Sequence, residues 1–298
     1  MPTENKILLV INPISGNLDK QEFINQAMGM VFELGRVMNV YETCGQNDDH
    51  TIRSIVEKGA YGTVLAGGGD GTITMIAEAL AGLDYTLGII PLGSANGLAR
   101  SFGIPDDPLD AMQVALTGDV MPVDAIRLND DIGLHLSDLG LNALLIKNFE
   151  SSNIRGKVGY MKEVVKTLTD HEIFSVRITT DAEILETDAV IVIVANAQKY
   201  GTGVVINPLG NICDGKFEIV LARKLDFIEL ARLLAGNTDF DPEVVTILSA
   251  SRADIEIIAS DIHFQVDGEY KGRVNKVTAE ILPAYVRIRV PFQDLAQD

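Results

Sequence analysis

Four short apolar runs mark the first part of the chain, and each gives way to a stretch with helical spacing. Ile7–Ile11 is unbroken and ends in a turn at Pro13, and residues 20–34 then read as a helix. VMNVYET (37–43) is a second strand. DDHTIRSIVEKG (48–59) is a helix with acid in its first turn and Gly59 near its end. TVLAGGG (63–69) is a third strand, TITMIAEALAG (72–82) a helix and YTLGIIP (85–91) a fourth strand, with further helices near 95–101 and 108–116. Continuous apolar strands suit burial on both faces, and parallel strands need crossover helices. The alternation predicts an α/β domain around a mostly parallel sheet.

After Met121 the pattern changes. VDAIRL, LHLSDL, FSVRITT, AVIVIVAN, KFEIVLA, VVTILSA, ADIEIIA, HFQVDGE and KVTAEIL are strand candidates, and helical spacing is confined mainly to 157–168 and 226–234. This second region predicts a β-rich, antiparallel, sandwich-like domain. The last run, YVRIRV (285–290), either extends that domain or returns to the first sheet.

Composition narrows the function classes. Lys and Arg number 24 against 42 Asp and Glu, a formal charge of -18. That argues against a nucleic-acid binder and against retention on anionic lipid by broad charge attraction. Cys44 and Cys213 make neither a disulfide framework nor a zinc site, and His50, His135, His171 and His263 are scattered. No signal peptide and no uninterrupted membrane-spanning stretch is legible, so a cytoplasmic protein is expected.

Residues 67–72 read GGGDGT, between a strand and a helix. Glycines there let a ligand approach the backbone, and the N–H groups and helix start suit phosphate oxygens. Asp70 would order the loop, bind ribose or approach a nucleotide-bound Mg²⁺; Thr72 would cap the helix or donate to phosphate. A tight structural turn is the other reading. The stretch matches neither G-x-x-x-x-G-K-S/T nor G-x-G-x-x-G. Asn12-Pro13-Ile14-Ser15-Gly16 follows the first strand and Pro91-Leu92-Gly93-Ser94-Ala95-Asn96-Gly97 the fourth. Parallel strands bring such loops to one sheet edge, where open α/β proteins bind ligands. In the second region, Asp267-Gly268-Glu269 exposes two carboxylates at a tight bend, either as a hairpin turn or as a proton-accepting pair. Cys213-Asp214-Gly215 reads locally as a turn.

Together GGGDGT, NPISG and PLGSANGLAR resemble the diacylglycerol kinase catalytic-domain family, which includes bacterial lipid kinases and sphingosine kinases, with NAD kinases more distant. The stretch IVANAQKYGTGVVINPLGNICDGKFEIV and the late VDGEY extend the likeness over nearly the whole chain. The resemblance implies an ATP-dependent lipid kinase with an NAD kinase/diacylglycerol kinase-like fold. Its nucleotide domain would span residues 1–122 with a returning strand at about 284–298, and its β-rich lipid-substrate domain 123–283. It implies ATP and Mg²⁺ as cofactors. Asn12, Pro13, Ser15, Gly16, Thr43, Gly68, Gly69, Asp70, Gly71, Thr72, Ser94 and Asn96 would contact nucleotide. Glu269 would accept the hydroxyl proton, with Asp267 as partner and alternative base, and a structural Mg²⁺ would sit on Asp214, Asn211 and the Lys216 carbonyl.

Two departures stand in the second loop: Ala95 replaces a glycine, so its backbone should avoid positive φ, and Gly97 replaces a common acidic residue. The partners implied are a lipid with a free hydroxyl, diacylglycerol-like or sphingoid-like, a transient membrane-surface contact at the inner face, and a homodimer. Residues 134–149, with Leu98, Phe102 and Ile104, are candidate walls of an apolar entry path, or ordinary core; Arg100, Lys147, Arg155, Lys157 and Lys162 would supply local positive charge. An NAD kinase-like enzyme and a non-catalytic nucleotide sensor are the competing classes.

Overall fold

The computed structural model describes residues 3–16, 18–140, 143, 172–198, 205–224 and 240–292. The helices expected over 157–168 and 226–234, the four basic residues Lys147, Arg155, Lys157 and Lys162, most of 141–149, and residues 199–204 lie outside these. The described chain falls into two compact units, residues up to 123 with those from 284 onward, and those between 124 and 283.

In the first unit β1 (Thr3–Ile11), β2 (Val37–Glu42), β3 (Tyr61–Gly68), β4 (Thr86–Pro91) and the end of β16 (Lys276–Val290) form a sheet in the order β2-β1-β3-β4-β16. Every pair in it is parallel, with Leu9 opposite both Val40 and Leu65, and Ile288 opposite Leu87. Ile7–Ile11 are at most 1% exposed, as the unbroken apolar run requires. The crossovers are α1 (Lys20–Glu33), α2 (Asp48–Gly59), α3 (Asp70–Ala79), the five-residue α4 (Gly97–Ser101) and α5 (Pro108–Thr117). Asp19 caps α1, accepting from the N–H groups of Gln21 and Glu22; α1 then buries Phe23, Ile24, Ala27 and Val31. Asp107 caps α5, with Pro108 in its first turn. Leu98, Phe102 and Ile104 are at most 7% exposed and belong to this unit's core. YVRIRV returns to the first sheet: Arg287 binds Tyr85 O through Nε at 3.1 Å and pairs with Asp84, while Arg289 binds Gly118 O at 2.6 Å.

The second unit is an antiparallel sandwich. One sheet runs β16-β13-β8-β9, where β13 is Arg252–Ile258, β8 Phe174–Thr180 and β9 Ile184–Ala189. Strands β5 (Asp119–Leu128) and β6 (Asp131–Gly133) join this sheet beside β16. The other sheet runs β12-β11-β10-β7-β14-β15, namely Val245–Ala250, Phe217–Ala222, Ile191–Ala195, Leu136–Gly140, Ile262–Val266 and Glu269–Val274. Alternate residues of both sheets meet in one core that includes Val176, Ile255 and Val277 from the first and Leu139, Phe217 and Phe264 from the second. Leu136, Ile191, Ile193 and Val220 form a separate buried cluster on the second sheet's other face, so β10 and β11 are covered on both sides.

Several strand boundaries differ from expectation. HFQVDGE is not one strand but a strand and the turn after it. KVTAEIL and YVRIRV are a single 15-residue strand. Strands β6, β9 and β15 were absent from the sequence reading.

Candidate functional site

In the first unit the glycine-rich loops lie at the carboxyl ends of β1, β3 and β4. The Asn12 N–H donates to Gly67 O at 2.8 Å, Thr43 N–H to Ile11 O at 2.9 Å, and Leu92 N–H to Gly68 O at 2.9 Å, so all four strand ends are stitched side by side. Asn12 shapes its own turn: its Oδ1 accepts from Ile14 N–H at 3.1 Å and its carbonyl from Ser15 N–H at 3.2 Å. Gly16 is left-handed, φ +60°, and a Cβ there would sit 2.5 Å from Leu92 O. Two backbones touch where the β3 and β4 loops meet: a Cβ on Gly93 would lie 2.5 Å from Gly69 Cα. This is why the loops carry so little side chain.

Asp70 joins the same two loops. Its Oδ2 accepts from Gly97 N–H at 2.8 Å and its Oδ1 from Leu98 N–H at 3.0 Å, so it caps α4 from another element. Of the three roles open to it from sequence, ordering the loops is the one its contacts fill. Asn96 is buried and left-handed, φ 50°; its Oδ1 accepts from Gly93 N–H at 2.8 Å and its Nδ2 donates to Gly93 O at 3.0 Å. Ala95 is not among the positive-φ residues, so the missing glycine is tolerated as expected. Thr72 is buried and does not cap α3, whose N-cap is Gly69. Ser94 and Pro13 are exposed in their loops, and Gly71 is exposed in the first turn of α3.

Two residues of this cluster were missed from sequence. Lys20 Nζ donates to Ser15 O at 2.5 Å and Leu18 O at 3.3 Å, which sets a cation beside the β1 loop; burial lowers its pKa. Asp48 is buried and holds the loop that carries Thr43, accepting from Tyr41 Oη at 2.6 Å, Cys44 N–H at 3.0 Å and Gly45 N–H at 2.6 Å. Burial pushes its carboxyl up, but these hydrogen bonds outweigh that and leave its pKa below the usual value. The DDH stretch had signalled only a helix start.

In the second unit β14 and β15 are joined by a two-residue turn. Asp267 has φ 47° and Gly268 φ +88°, the two left-handed positions of a primed hairpin turn that Asp-Gly favours. The Asp267 carboxylate accepts three backbone N–H groups, Leu134 at 2.7 Å and His135 and Leu136 at 3.0 Å each. Glu269 is exposed, and its Oε2 lies 3.2 Å from Lys271 Nζ, which also pairs with Asp131 at 2.9 Å. Burial alone would lower the Lys271 pKa; Asp131 and Glu269 together hold it above the ordinary lysine value.

Asn211, Asp214 and Lys216 lie in one turn before β11. Lys216 meets Asp214 Oδ1 through its N–H, at 3.0 Å, and Asn211 Oδ1 accepts from Cys213 N–H at 3.3 Å. Oxygen donors of this kind suit a hard cation. Among the described residues no three His, Cys, Asp or Glu side chains gather as a metal-holding group. Buried Asn196 ties this region to the Asp267 turn: its Nδ2 donates to Asp124 O at 2.8 Å and Leu134 O at 3.0 Å, and Asp124 Oδ2 accepts from Gly215 N–H at 2.7 Å.

The loop cluster and the sandwich each have a counterpart in known proteins. Residues 6–128 match the diacylglycerol kinase catalytic domain, and residues 138–290, half of the chain, match the YegS C-terminal NAD kinase beta sandwich-like domain. The chain belongs to the diacylglycerol kinase/YegS-like lipid kinase family. Relatives in this family include a probable lipid kinase YegS-like protein of Klebsiella pneumoniae, 28% identical over 98% of both chains. A diacylglycerol kinase of Bacillus subtilis is 24% identical over 89% of both. A putative diacylglycerol kinase structure from Bacillus anthracis has the same fold, with TM-score 0.80 at 22% identity, covering 96% of this chain and 97% of that one. No helix among the described residues is long and apolar enough to cross a membrane.

Proposed function

We propose that this lipid kinase family member transfers the γ-phosphoryl group of ATP to a hydroxyl of a diacylglycerol-like or sphingoid-like lipid. The observation that carries the nucleotide half of the reading is the junction of Gly69 with Gly93, where two loops at parallel strand ends present backbone instead of side chains. Asn12, Ser15, Gly16, Thr43, Gly68–Thr72, Ser94 and Asn96 line or support the phosphate-binding edge, with Lys20 adding a positive charge at the β1 loop. Bound Mg²⁺ supplies neutralisation of the charge on the phosphates. The protein's part is positioning and electrostatics.

Glu269 is the proton acceptor in this reading. Its carboxylate is exposed and meets only a flexible lysine among its described bonds, whereas Asp267 gives its oxygens to three backbone N–H groups. Asp267 therefore acts as the anchor of the turn, and Glu269 as the group free to take the hydroxyl proton. A structural Mg²⁺ at Asn211, Asp214 and Lys216 belongs to the same reading; Asp214→Ala would then remove a Mg²⁺-dependent rise in melting temperature. The lipid acceptor requires transient contact with a membrane surface.

The test is transfer of labelled γ-phosphate from Mg·ATP into a mixed lipid extract, with products identified by mass spectrometry. Wild type yields a labelled lipid phosphate, and Glu269→Gln reduces it by about 100-fold or more. No labelled lipid from a folded, ATP-binding protein would sink the reading, and conversion of NAD to NADP would replace it with the soluble-nucleotide class.

A further inference from the structure

Beneath the Asp267–Glu269 turn lies a buried polar chain that the proposed chemistry has not used. Asp138, on β7, has no exposed surface, and Gln265, opposite it on β14, is 1% exposed. Gly268 N–H donates to Gln265 Oε1 at 2.7 Å. Gln265 Nε2 donates to Asp138 Oδ2, and Ala143 N–H donates to Asp138 Oδ1 at 2.8 Å. On its other side Asp138 faces Ile193, part of an apolar cluster. A buried carboxylate is costly unless hydrogen bonds take up its lone pairs, and here they do.

The chemistry of the pair fixes an orientation. A glutamine amide has an accepting end and a donating end, and its shape allows either to face the turn. A carboxylate only accepts. Asp138 therefore draws Nε2 toward itself and leaves Oε1 for the N–H of Gly268, the residue between Asp267 and Glu269. We propose that Asp138 is a positioning residue for phosphoryl transfer: through the Gln265 amide it holds the turn that presents Glu269. This rests on Glu269 being the proton acceptor.

The experiment compares Asp138→Asn with the swapped pair Asp138→Asn/Gln265→Glu, in the full-length protein, by steady-state transfer from Mg·ATP into the lipid extract and by hydrogen exchange at the Gly268 amide. In Asp138→Asn a single oxygen remains for the two described donors, Gln265 Nε2 and Ala143 N–H. The Gln265 amide relieves the clash by flipping, which turns Nε2–H against Gly268 N–H. In the swapped pair the carboxylate introduced at position 265 accepts from Gly268 N–H and from the amide nitrogen introduced at position 138. The oxygen of that same amide accepts from Ala143 N–H. The three described donors are matched again and the net charge is unchanged.

The expected result is a fall in kcat of about 10- to 100-fold for Asp138→Asn, with KM for Mg·ATP within about twofold. Exchange at Gly268 becomes about tenfold faster or more, and both quantities return to within about threefold of wild type in the swapped pair. A folded Asp138→Asn with wild-type kcat overturns the proposal. So does a swapped pair that restores Gly268 protection without restoring turnover. Should Asp138→Asn fail to fold, the swapped pair decides alone: folded and active supports the proposal, folded and inactive overturns it. Absence of lipid phosphorylation by wild type is a separate failure, that of the kinase reading, and it removes the positioning role of Asp138 whatever Gly268 exchange shows.

Discussion

At the scale of single residues, the loop cluster is built from contacts that tolerate no added atoms. Gly93→Ala would drive a methyl against Gly69 Cα at 2.5 Å and Asn96 Oδ1 at 2.7 Å, and neither partner is the free end of a flexible chain. We expect a loss of about 1–3 kcal/mol in urea unfolding, with weakened ATP binding by calorimetry. Lys271 offers a test by pH. Its pKa is raised in the folded state by Asp131 and Glu269, so its contribution is complete below the unfolded lysine pKa and is lost as pH rises through the folded value. The melting temperature of wild type should thus fall more steeply on the alkaline side of about pH 10 than that of Lys271→Met. These residues also show where sequence reading stops. GGGDGT announces a close approach to the backbone, but Asp70 meets Gly97 and Leu98, 27 and 28 residues on, and Asp267 meets residues more than 130 away. Bonds of that span leave no local pattern.

At the scale of elements, α4 depends on a neighbour. Five residues are too few to sustain a helix alone, and its N-cap Asn96 makes no side-chain cap bond. Asp70 supplies the missing acceptor, so Asp70→Ala should cost about 1–3 kcal/mol, and hydrogen exchange should speed up at Gly97 and Leu98 before it does in β3. Two of the three strands missed from sequence share a cause. In β9 and β15, ILETDA and EYKGRV, side chains alternate between exposed and half-buried over nearly their whole length, so neither carries the apolar face that marks a strand. The apparent break between KVTAEIL and YVRIRV is Pro283 followed by left-handed Ala284; the pairing nonetheless continues on both sides within one strand. The parallel core strands were legible for the opposite reason, since burial on both faces writes itself as an unbroken apolar run.

At the scale of the molecule, β16 belongs to both units. Its first part pairs with β13 in the sandwich, Val277 opposite Ile255, and its last part lies beside β4, with Val286, Ile288 and Val290 at most 4% exposed. A chain ending at residue 283 should lose the first unit's native fold, with a non-cooperative thermal transition by circular dichroism, and adding residues 284–298 as a separate peptide should restore part of the signal. The same strand orders events during synthesis. The ribosome releases β1 through α5 first, yet Leu87 on the β4 edge waits for Ile288, about 200 residues downstream and so on the order of 10–40 s at typical elongation rates. Through that interval the nascent first sheet carries an open edge at β4, a template for pairing with other chains until the returning strand covers it.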